Sequence, residues 1–314
     1  MLDALRDCDR SQMEAAVRAA IAPEAAVHLC HPFGDATGAE GFLGAALGPL
    51  WDAVPDAERR VSLSLRGTCR QGQHWVGQAG HYAGRFDGPF LGIPGTGRMV
   101  YLRFHEFFRI EGGQAVEVQM IWDLADLMLQ LGVWPMGPAL GWTGVVPGPL
   151  TQDGLTIDGP GDAALAVVTE MLTYLGKSDQ GPEAMELPRF WHARCSWYGP
   201  GGIGTARGIA GFRAHHQIPF LAAMPDRKAR VDAGHLFAQG AYVGFTAWPG
   251  MDMTLSGGDW LGIAGAGQTL TMRSLDFWRV EGDRIRENWV CVDLLHVWDQ
   301  VGVDVLARMR ALIG

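Results

Sequence analysis

Two aspartates occupy the same point of two similar segments, and they are the first candidates for acid/base chemistry. Asp123 follows the run "QAVEVQMIW", and Asp293 follows "RIRENWVCV" 170 positions further along the chain. Each run has the alternation of a β-strand, so each carboxylate stands where an apolar strand should end. A carboxylate in an apolar cavity loses solvation when it ionises, which raises its pKa toward the range useful for proton transfer at neutral pH. Both residues are therefore candidate general acid/base groups.

The same aspartates have a purely structural interpretation. Each precedes a short helical pattern, "LADLMLQLG" after Asp123 and "LLHVWDQVG" after Asp293. Aspartate is a favoured N-cap, because its carboxylate accepts a hydrogen bond from a free backbone N–H of the first helical turn. A duplicated cap would recur as readily as a duplicated catalytic group, so the repeat leaves both interpretations open.

The repeat extends far beyond the two aspartates. Residues 90–133 align without a gap with residues 260–303, and Arg103 then falls on Arg273. The same offset holds upstream, where the pair Pro-Asp occurs at 55–56 and at 225–226. The chain therefore contains two copies of one unit.

The length of the period decides what the repeated unit is. Solenoid repeats have roughly 20 to 50 residues, and this period is far longer. A chain of 314 residues also exceeds a typical domain of about 150 residues. The sequence predicts two domains, residues 1–140 and 161–314, joined by a Gly/Pro-rich linker at 141–160.

Each copy begins with helical patterns and continues with alternating strands. Residues 11–22 predict a helix in which Ser11 and Glu14 have capping-box spacing, and residues 162–175 predict a helix that stops at Gly176. The later strands pair as hairpins with turns at Gln71-Gly72, Glu111-Gly112, Gln239-Gly240 and Glu281-Gly282. This order predicts an α+β unit in which helices cover one face of a curved antiparallel sheet.

Several short motifs carry a resemblance to a known family. They are the two Pro-Asp pairs, "GHYAG" followed by "FLGIPGTGR", the turn "R-I/V-E-G", and the closing pattern "E...W..D...L..QLG". Together they resemble the SnoaL-like polyketide cyclases of the nuclear transport factor 2 superfamily. The resemblance implies tandem cone-shaped α+β barrel domains that pair through their sheets as a pseudo-dimer within the chain. It also allows a further homodimer.

The resemblance further implies an activity. SnoaL-like cyclases act without a metal or an organic cofactor on a hydrophobic, polyketide-like carbonyl compound. An aspartate, here Asp123 or Asp293, removes a proton from carbon, and the enolate attacks a carbonyl of the same molecule in an intramolecular aldol reaction. The fold also leaves open a non-catalytic protein that binds a small apolar ligand, an epoxide hydrolase or hydratase, and a structural pseudo-dimer whose pockets are filled by side chains.

Strand parity predicts which side chains share a face with each aspartate. A turn centred on Gly282-Asp283 places Trp289 opposite Asp276, on the face of Asp293. The same rule places Gln119, Phe104 and Glu106 on the face of Asp123. The candidate substrate-binding residues are His81, Phe104, Glu106, Gln119, Tyr198, Trp248, Trp260, Asp276 and Trp289.

Composition excludes several classes of partner and site. The net charge is −9 and only two lysines occur, so nucleic acid and anionic membranes are poor partners. No apolar run reaches the roughly 18 residues of a membrane helix, and the charged start of the chain predicts a cytoplasmic protein. The five cysteines form no C-x-x-C pair, so no metal site is expected. The "GIPGTG" loop precedes a strand rather than a helix, which argues against a nucleotide site. A small hydrophobic molecule is the expected ligand.

Overall fold

The structure is a computed structural model that describes residues 3–6, 9–177 and 181–314. It contains two α+β units with the same order of elements, which we name the first unit (α1 to α4) and the second unit (α5 to α10). Four cysteines are free and buried, whereas Cys8 lies outside the described residues. The tandem α+β architecture is thereby confirmed.

The first unit follows a short 3-10 turn at Asp3–Arg6 and is built from four helices and six strands. Its elements are α1 (Arg10–Ala20), β1 (Ile21–Leu29), β2 (Asp35–Thr37), α2 (Gly38–Phe42), a π-helical turn (Leu43–Leu47), α3 (Gly48–Ala53), β3 (Glu58–Thr68), β4 (His74–Phe86), β5 (Arg98–Glu111), β6 (Gln114–Trp122) and α4 (Leu124–Leu131).

The second unit repeats this order with several changes. Its elements are α5 (Asp162–Leu175), a 3-10 turn (Pro182–Met185), α6 (Leu187–Phe190), β7 (Trp191–Tyr198), β8 (Thr205–Arg207), α7 (Gly208–Phe212), a π-helical turn (Arg213–Gln217), α8 (Ile218–Ala223), β9 (Lys228–Ala229), a 3-10 turn (Val231–Ala233), β10 (His235–Gln239), β11 (Tyr242–Leu255), β12 (Asp259–Trp260), β13 (Ile263–Ala264), β14 (Gln268–Glu281), β15 (Arg284–Val292), α9 (Leu294–Gln300) and α10 (Val305–Ile313). It has two short strands, β9 and β10, in place of one long strand, and it adds the strands β12 and β13 and the helices α6 and α10.

Each unit is organised around one sheet. The strand order is β2-β1-β6-β5-β4-β3 in the first unit and β10-β11-β14-β15-β7-β8 in the second, with β9 beside β11. The predicted hairpins are present, but β1 pairs in parallel with β6 and β7 in parallel with β15. The expected purely antiparallel sheet is therefore wrong, because each sheet contains one parallel pair of strands. In the described residues neither sheet closes into a barrel.

The first helix also begins differently from the prediction. Helix α1 starts at Arg10, and its N-cap is Asp9, whose carboxylate accepts the N–H of Gln12 at 3.2 Å. Ser11 instead donates its hydroxyl to Asp9 at 2.8 Å. An aspartate two residues earlier thus competes successfully for the capping position. Helix α5 ends at Leu175 before Gly176, as predicted.

The two sheets pack against each other through equivalent positions. Phe107 and Phe277, the same position of the repeat, stack with ring centroids 4.8 Å apart. His105 Nδ1 lies 2.7 Å from the carbonyl oxygen of Leu275, and Thr246 donates to the amide oxygen of Gln119. The faces that meet between the units are thus closed to a ligand.

The connecting segment packs onto both units. The backbone N–H of Ser64 donates to Gly154 at 2.8 Å, and the indole N–H of Trp289 donates to Pro147 at 2.9 Å. The domain limits at residues 140 and 161 stay a prediction. No helix among the described residues is long and apolar enough to cross a membrane.

Candidate active site

A β-bulge in each central hairpin sets which side chains face the inside of each unit. The register between β14 and β15 shifts by one residue near Arg279, so that Asp276 pairs with Val290 rather than with Trp289. The hairpin β5–β6 has the same shift, and Glu106 pairs with Met120. The predicted face that joined Trp289 to Asp276, and Gln119 to Glu106, is therefore wrong.

Asp123 and Asp293 lie where the two units meet. Asp123 caps α4 through the N–H of Asp126 at 3.0 Å and accepts the N–H of Gly201 from the second unit at 2.9 Å. Asp293 caps α9 through the N–H of His296 at 3.2 Å, and it accepts the N–H of His31 from the first unit at 3.0 Å. Each carboxylate thus accepts backbone hydrogen bonds from the first turn of its own helix and from a loop of the other unit.

The surroundings of these two aspartates leave little room for a substrate. Burial raises the pKa of Asp123, and it raises the pKa of Asp293 to about 6. Both side chains line one cavity, but its volume is only about 10 Å³. A cavity of about 10–15 Å³ holds one water molecule. An acid/base role for Asp123 and Asp293 stays a prediction, whereas their capping role is observed.

A larger cavity lies inside the second unit, between its sheet and its helices. Its volume is about 120 Å³, and most of its wall is apolar or aromatic. The sheet side of the wall includes Met272, Ser274, Asp276 and Trp278 from β14 and Asn288, Val290 and Val292 from β15. Since an apolar cavity of about 150 Å³ holds a benzene molecule, this cavity has room for about one six-membered ring.

Asp276 is the carboxylate that faces this cavity. Burial raises its pKa to about 7, against the opposing effects of a hydrogen bond with Ser274 and of the positive charge of Arg103. A carboxyl group with this pKa is present in both protonation states near neutral pH. Asp276 can therefore both take and return a proton in the cavity.

Four residues that line the cavity each have a buried nitrogen atom without a hydrogen-bond partner in the described part of the chain. The nitrogen atoms are Nε1 of Trp191, Nδ1 of His216, Nε of Arg227 and Nε1 of Trp278. Burial lowers the pKa of His216 to about 3, so its ring is neutral and stacks on Trp197 at 4.2 Å. Buried polar groups are nearly always paired, so these nitrogens are suited to bind oxygen atoms of a ligand.

The first unit has a carboxylate at the same position, but there it is fully enclosed. Glu106, the counterpart of Asp276, has no exposed surface and pairs with Arg59 at 2.5 Å. Its other oxygen accepts the hydroxyl of Tyr82 at 2.9 Å and the indole N–H of Trp122 at 3.2 Å. This carboxylate has its hydrogen-bonding capacity satisfied within the core.

Side-chain size explains why the second unit has a cavity at this position, whereas the described residues of the first unit fill it. Where the first unit has Phe104, Trp122 and Arg59, the second has Ser274, Val292 and Ala229 at the matching positions. The three larger side chains are all buried in the first unit. The smaller replacements leave space beside Asp276.

The other predicted substrate-binding residues lie outside the cavity. His81 is buried against Tyr101 and close to Arg103, and burial lowers its pKa to about 4. Tyr198 stacks on Trp289 at 5.5 Å, and Trp248 lies 6.1 Å from His28 of the first unit. Trp260 packs behind the cavity on Phe220 at 5.8 Å. Phe104 and Glu106 belong to the first core and Gln119 to the contact between the units, so the structure places only Asp276 on the cavity wall.

His216, Arg227 and Asn288 are candidate functional residues that the sequence reasoning missed. The signal for Arg227 was present in the repeat, because Ala57 is its counterpart in the first unit. Asn288 likewise replaces Val118. Among the described residues no group of three or more His, Cys, Asp or Glu side chains is arranged to hold a metal ion.

Comparison with known proteins supplies the family. The profile of the SnoaL-like polyketide cyclases matches residues 1–131 and residues 180–301, which together make up most of the chain. The chain belongs to the SnoaL-like polyketide cyclase family. It contains two SnoaL-like units in tandem, as predicted, and its function is of the cyclase type. None of the curated proteins compared with the chain matches it.

Solved structures similar to the chain include three candidate polyketide cyclases. The SnoaL-like protein from Jannaschia sp. CCS1 is 23% identical, with a TM-score of 0.34, over 40% of this chain and 83% of its own. IdmH from Streptomyces antibioticus is 27% identical, with a TM-score of 0.35, over 41% of this chain and 94% of its own. The protein from Acidithiobacillus ferrooxidans is 22% identical, with a TM-score of 0.35, over 45% and 94% of the two chains.

We expect Asp293→Ala to destabilise the tandem SnoaL-like chain. The variant loses the cap of α9 and the bond to His31, and the free energy of unfolding should fall by about 2–4 kcal/mol in urea denaturation. Asp293→Asn retains an N-cap and should lose less. If Asp293→Ala also lowers the rate of catalysis per folded molecule, that result supports the acid/base role predicted from the sequence.

Proposed function

We propose that the second SnoaL-like unit catalyses the intramolecular aldol cyclisation of a small compound with several carbonyl groups, with Asp276 as the acid/base group. The observation that supports this most strongly is a carboxylate with a pKa of about 7 on the wall of a cavity of about 120 Å³. The equivalent Glu106 is instead closed off by an ion pair. No cofactor takes part in the proposed reaction.

One carboxyl group is sufficient for the proton transfers. The ionised Asp276 takes a proton from a carbon next to a carbonyl group, and the electrons of that C–H bond form an enolate. The enolate carbon attacks a second carbonyl carbon of the same molecule, which closes a ring by a new C–C bond. The alkoxide that results takes the proton back from Asp276. The base is thereby regenerated within one turnover.

The unpaired nitrogens of the cavity wall suit the charge that develops in this reaction. Negative charge moves from the carboxylate onto the enolate oxygen and then onto the alkoxide. Buried donors fixed before the reaction stabilise such charge more than water does, because they need no reorganisation. The indole N–H groups of Trp191 and Trp278 are donors of this kind.

The apolar wall contributes by holding the substrate folded. A flexible chain with several carbonyl groups must bring two of its carbons together before the ring closes. A cavity with room for about one ring favours the compact conformers over the extended ones. This gives the aromatic and aliphatic side chains a role beyond stabilising the fold.

Closing the cavity tests the proposal directly. Heptane-2,4,6-trione is the probe, because its aldol closure with loss of water gives the aromatic 5-methylresorcinol, a single ring. Ser274→Phe introduces the side chain that the first unit has at this position. We expect the variant to fold and to form 5-methylresorcinol no faster than buffer, as measured by liquid chromatography.

The reciprocal substitution Phe104→Ser is the matched control. It opens space in the first core and should cost about 3–5 kcal/mol of stability. Turnover per folded molecule should stay unchanged, because the cavity at Asp276 is untouched. If Ser274→Phe retains wild-type turnover, or if wild-type protein forms no 5-methylresorcinol, the proposed function is wrong.

A further inference from the structure

A wide cleft lies next to the cavity of the second unit. Its volume is about 730 Å³, and it lies between the β3–β4 hairpin of the first unit and helix α5 of the second. Leu172, Arg227, Ala229 and Val231 line both the cleft and the cavity. These four residues therefore stand between the cleft and the cavity, and we name them the neck.

Arg227 is the charged residue of this neck. One of its Nη2 N–H groups donates to the carbonyl of Leu175, the last residue of α5, at 2.7 Å. Its Nη1 lies 3.9 Å from the thioether of Met251, a weak acceptor, and its Nε has no partner. The guanidinium is thus held in place by the carbonyl end of a helix, while several of its five N–H donors stay available.

No carboxylate in the described residues pairs with Arg227. Other arginines of the chain have such a partner, as Arg59 has in Glu106 and Arg279 in Glu287, each at 2.5 Å. Arg227 is half-buried, and a cation that loses part of its hydration without gaining a counter-ion is costly; burial lowers its pKa to about 10. Even so, the group remains charged at neutral pH and attracts an anion.

This arginine belongs to the second unit alone. The motif Pro-Asp continues with Ala57 in the first unit and with Arg227 in the second. The first unit, whose core is filled, has no cation at this position. The second unit, whose cavity is open, has Arg227. The open cavity and the unpaired charge thus occur together.

Arg227 and Asp276 differ in their relation to the cleft. Arg227 lines the cleft as well as the cavity, whereas Asp276 lines only the cavity. The charge that lowers the pKa of His216 is that of Arg227, whereas the one acting on Asp276 is that of Arg103. An anionic group at Arg227 would therefore leave the rest of the molecule to extend toward Asp276.

We propose that Arg227 binds a carboxylate of the substrate at the neck, so that the enzyme selects small acids whose apolar part enters the cavity. A carboxylate carries one negative charge and accepts two parallel N–H bonds from a guanidinium, which matches the charge and the geometry of Arg227. The proposal rests on the proposed function for the reaction that follows, but the binding step can be measured by itself.

A matched pair of ligands separates charge from shape. 3-Phenylpropanoate and its methyl ester have the same ring and chain, and only the first is an anion. By isothermal titration calorimetry we expect the acid to bind wild-type protein about tenfold or more tighter than the ester. Arg227→Met should weaken binding of the acid by about tenfold or more and leave binding of the ester unchanged. Arg227→Lys keeps the charge without the planar fork and should retain part of the preference.

Arg230→Met is the control, because it removes the same charge from an exposed arginine that pairs with Asp252 at 2.5 Å. It should leave the affinities for both ligands unchanged. Equal affinity of wild-type protein for acid and ester, no binding of the acid, or equal weakening of both ligands by Arg227→Met overturns the proposal. A preference for the acid in a protein that forms no 5-methylresorcinol leaves the Arg227 site standing and removes the aldol function.

Discussion

Asp276→Asn should abolish cyclisation while leaving the fold intact. The asparagine has nearly the same shape but cannot take a proton from carbon, so turnover of heptane-2,4,6-trione should fall by about 10²- to 10⁴-fold. The measurement is the rate of 5-methylresorcinol formation at equal concentrations of folded protein. Binding of 3-phenylpropanoate at Arg227 should persist, which shows that the variant still has its cavity.

The pH dependence of turnover follows from the raised pKa of Asp276. The base is active only when ionised, and burial moves its pKa to about 7. The rate in wild-type protein should therefore rise with pH through about 7 and level off above it. A rate that stays constant between pH 5 and 9, after correction for the buffer reaction, contradicts Asp276 as the base.

The same carboxyl group should make stability depend on pH. In the unfolded chain this carboxyl group has a pKa near its ordinary value of 3.8, so between about pH 4 and 7 the folded state binds more protons at Asp276 than the unfolded state does. Stability from this group is therefore greatest in acid and falls as pH rises toward 7, by on the order of a few kcal/mol. Asp276→Asn lacks this contribution, so its stability relative to wild type should rise over the same interval in urea denaturation.

Much of the architecture could be predicted from the sequence because it is repeated. The constant offset between the copies establishes two units, and the alternating runs with Gly turns establish the hairpins of β3–β4 and β5–β6. Strand β1 was missed because "IAPEAAVHL" contains Pro23 and Glu24 and lacks alternation. Its pairing with β6 depends on contacts across about a hundred residues, which local pattern does not report.

The site was harder to predict because it depends on one inserted residue. In each central hairpin the bulge adds a residue to the second strand, and every later side chain moves to the other face. Strand alternation counted without the bulge places Trp289 and Asp293 on one face with Asp276. With the bulge, Asp276 and Val290 face the cavity, and Asp293 lies between the units.

Comparison of the two copies gives the information that parity lacks. Positions at which the copies differ in size or charge mark the open cavity, as Ser274 and Arg227 do against Phe104 and Ala57. Positions at which they agree, such as Asp123 and Asp293, maintain contacts common to both units. In a tandem chain, differences between copies therefore indicate function better than identities do.

Glu106→Gln should lower stability and leave turnover unchanged, whereas Asp276→Asn should lower turnover and keep the fold. The two residues nevertheless share one position of the repeat. Glu106 is the sole ion-pair partner of Arg59 in the described residues, and the pair is buried at 2.5 Å. Removing its charge leaves an uncompensated buried cation. We expect a loss of about 3–5 kcal/mol in the free energy of unfolding, measured in urea at pH 7. Turnover per folded molecule should not change.

The double variant Arg59→Met with Glu106→Leu distinguishes the loss of the pair from the loss of packing. It removes both charges and keeps apolar volume, so it should be more stable than Glu106→Gln alone. If the double variant is less stable than Glu106→Gln, the hydrogen bonds to Tyr82 and Trp122, rather than the ion pair, stabilise the first core. The expected contrast is that one carboxylate, closed in by Arg59, stabilises the first unit. We expect its counterpart beside Ser274 to destabilise the second unit at neutral pH, because burial disfavours its ionised form.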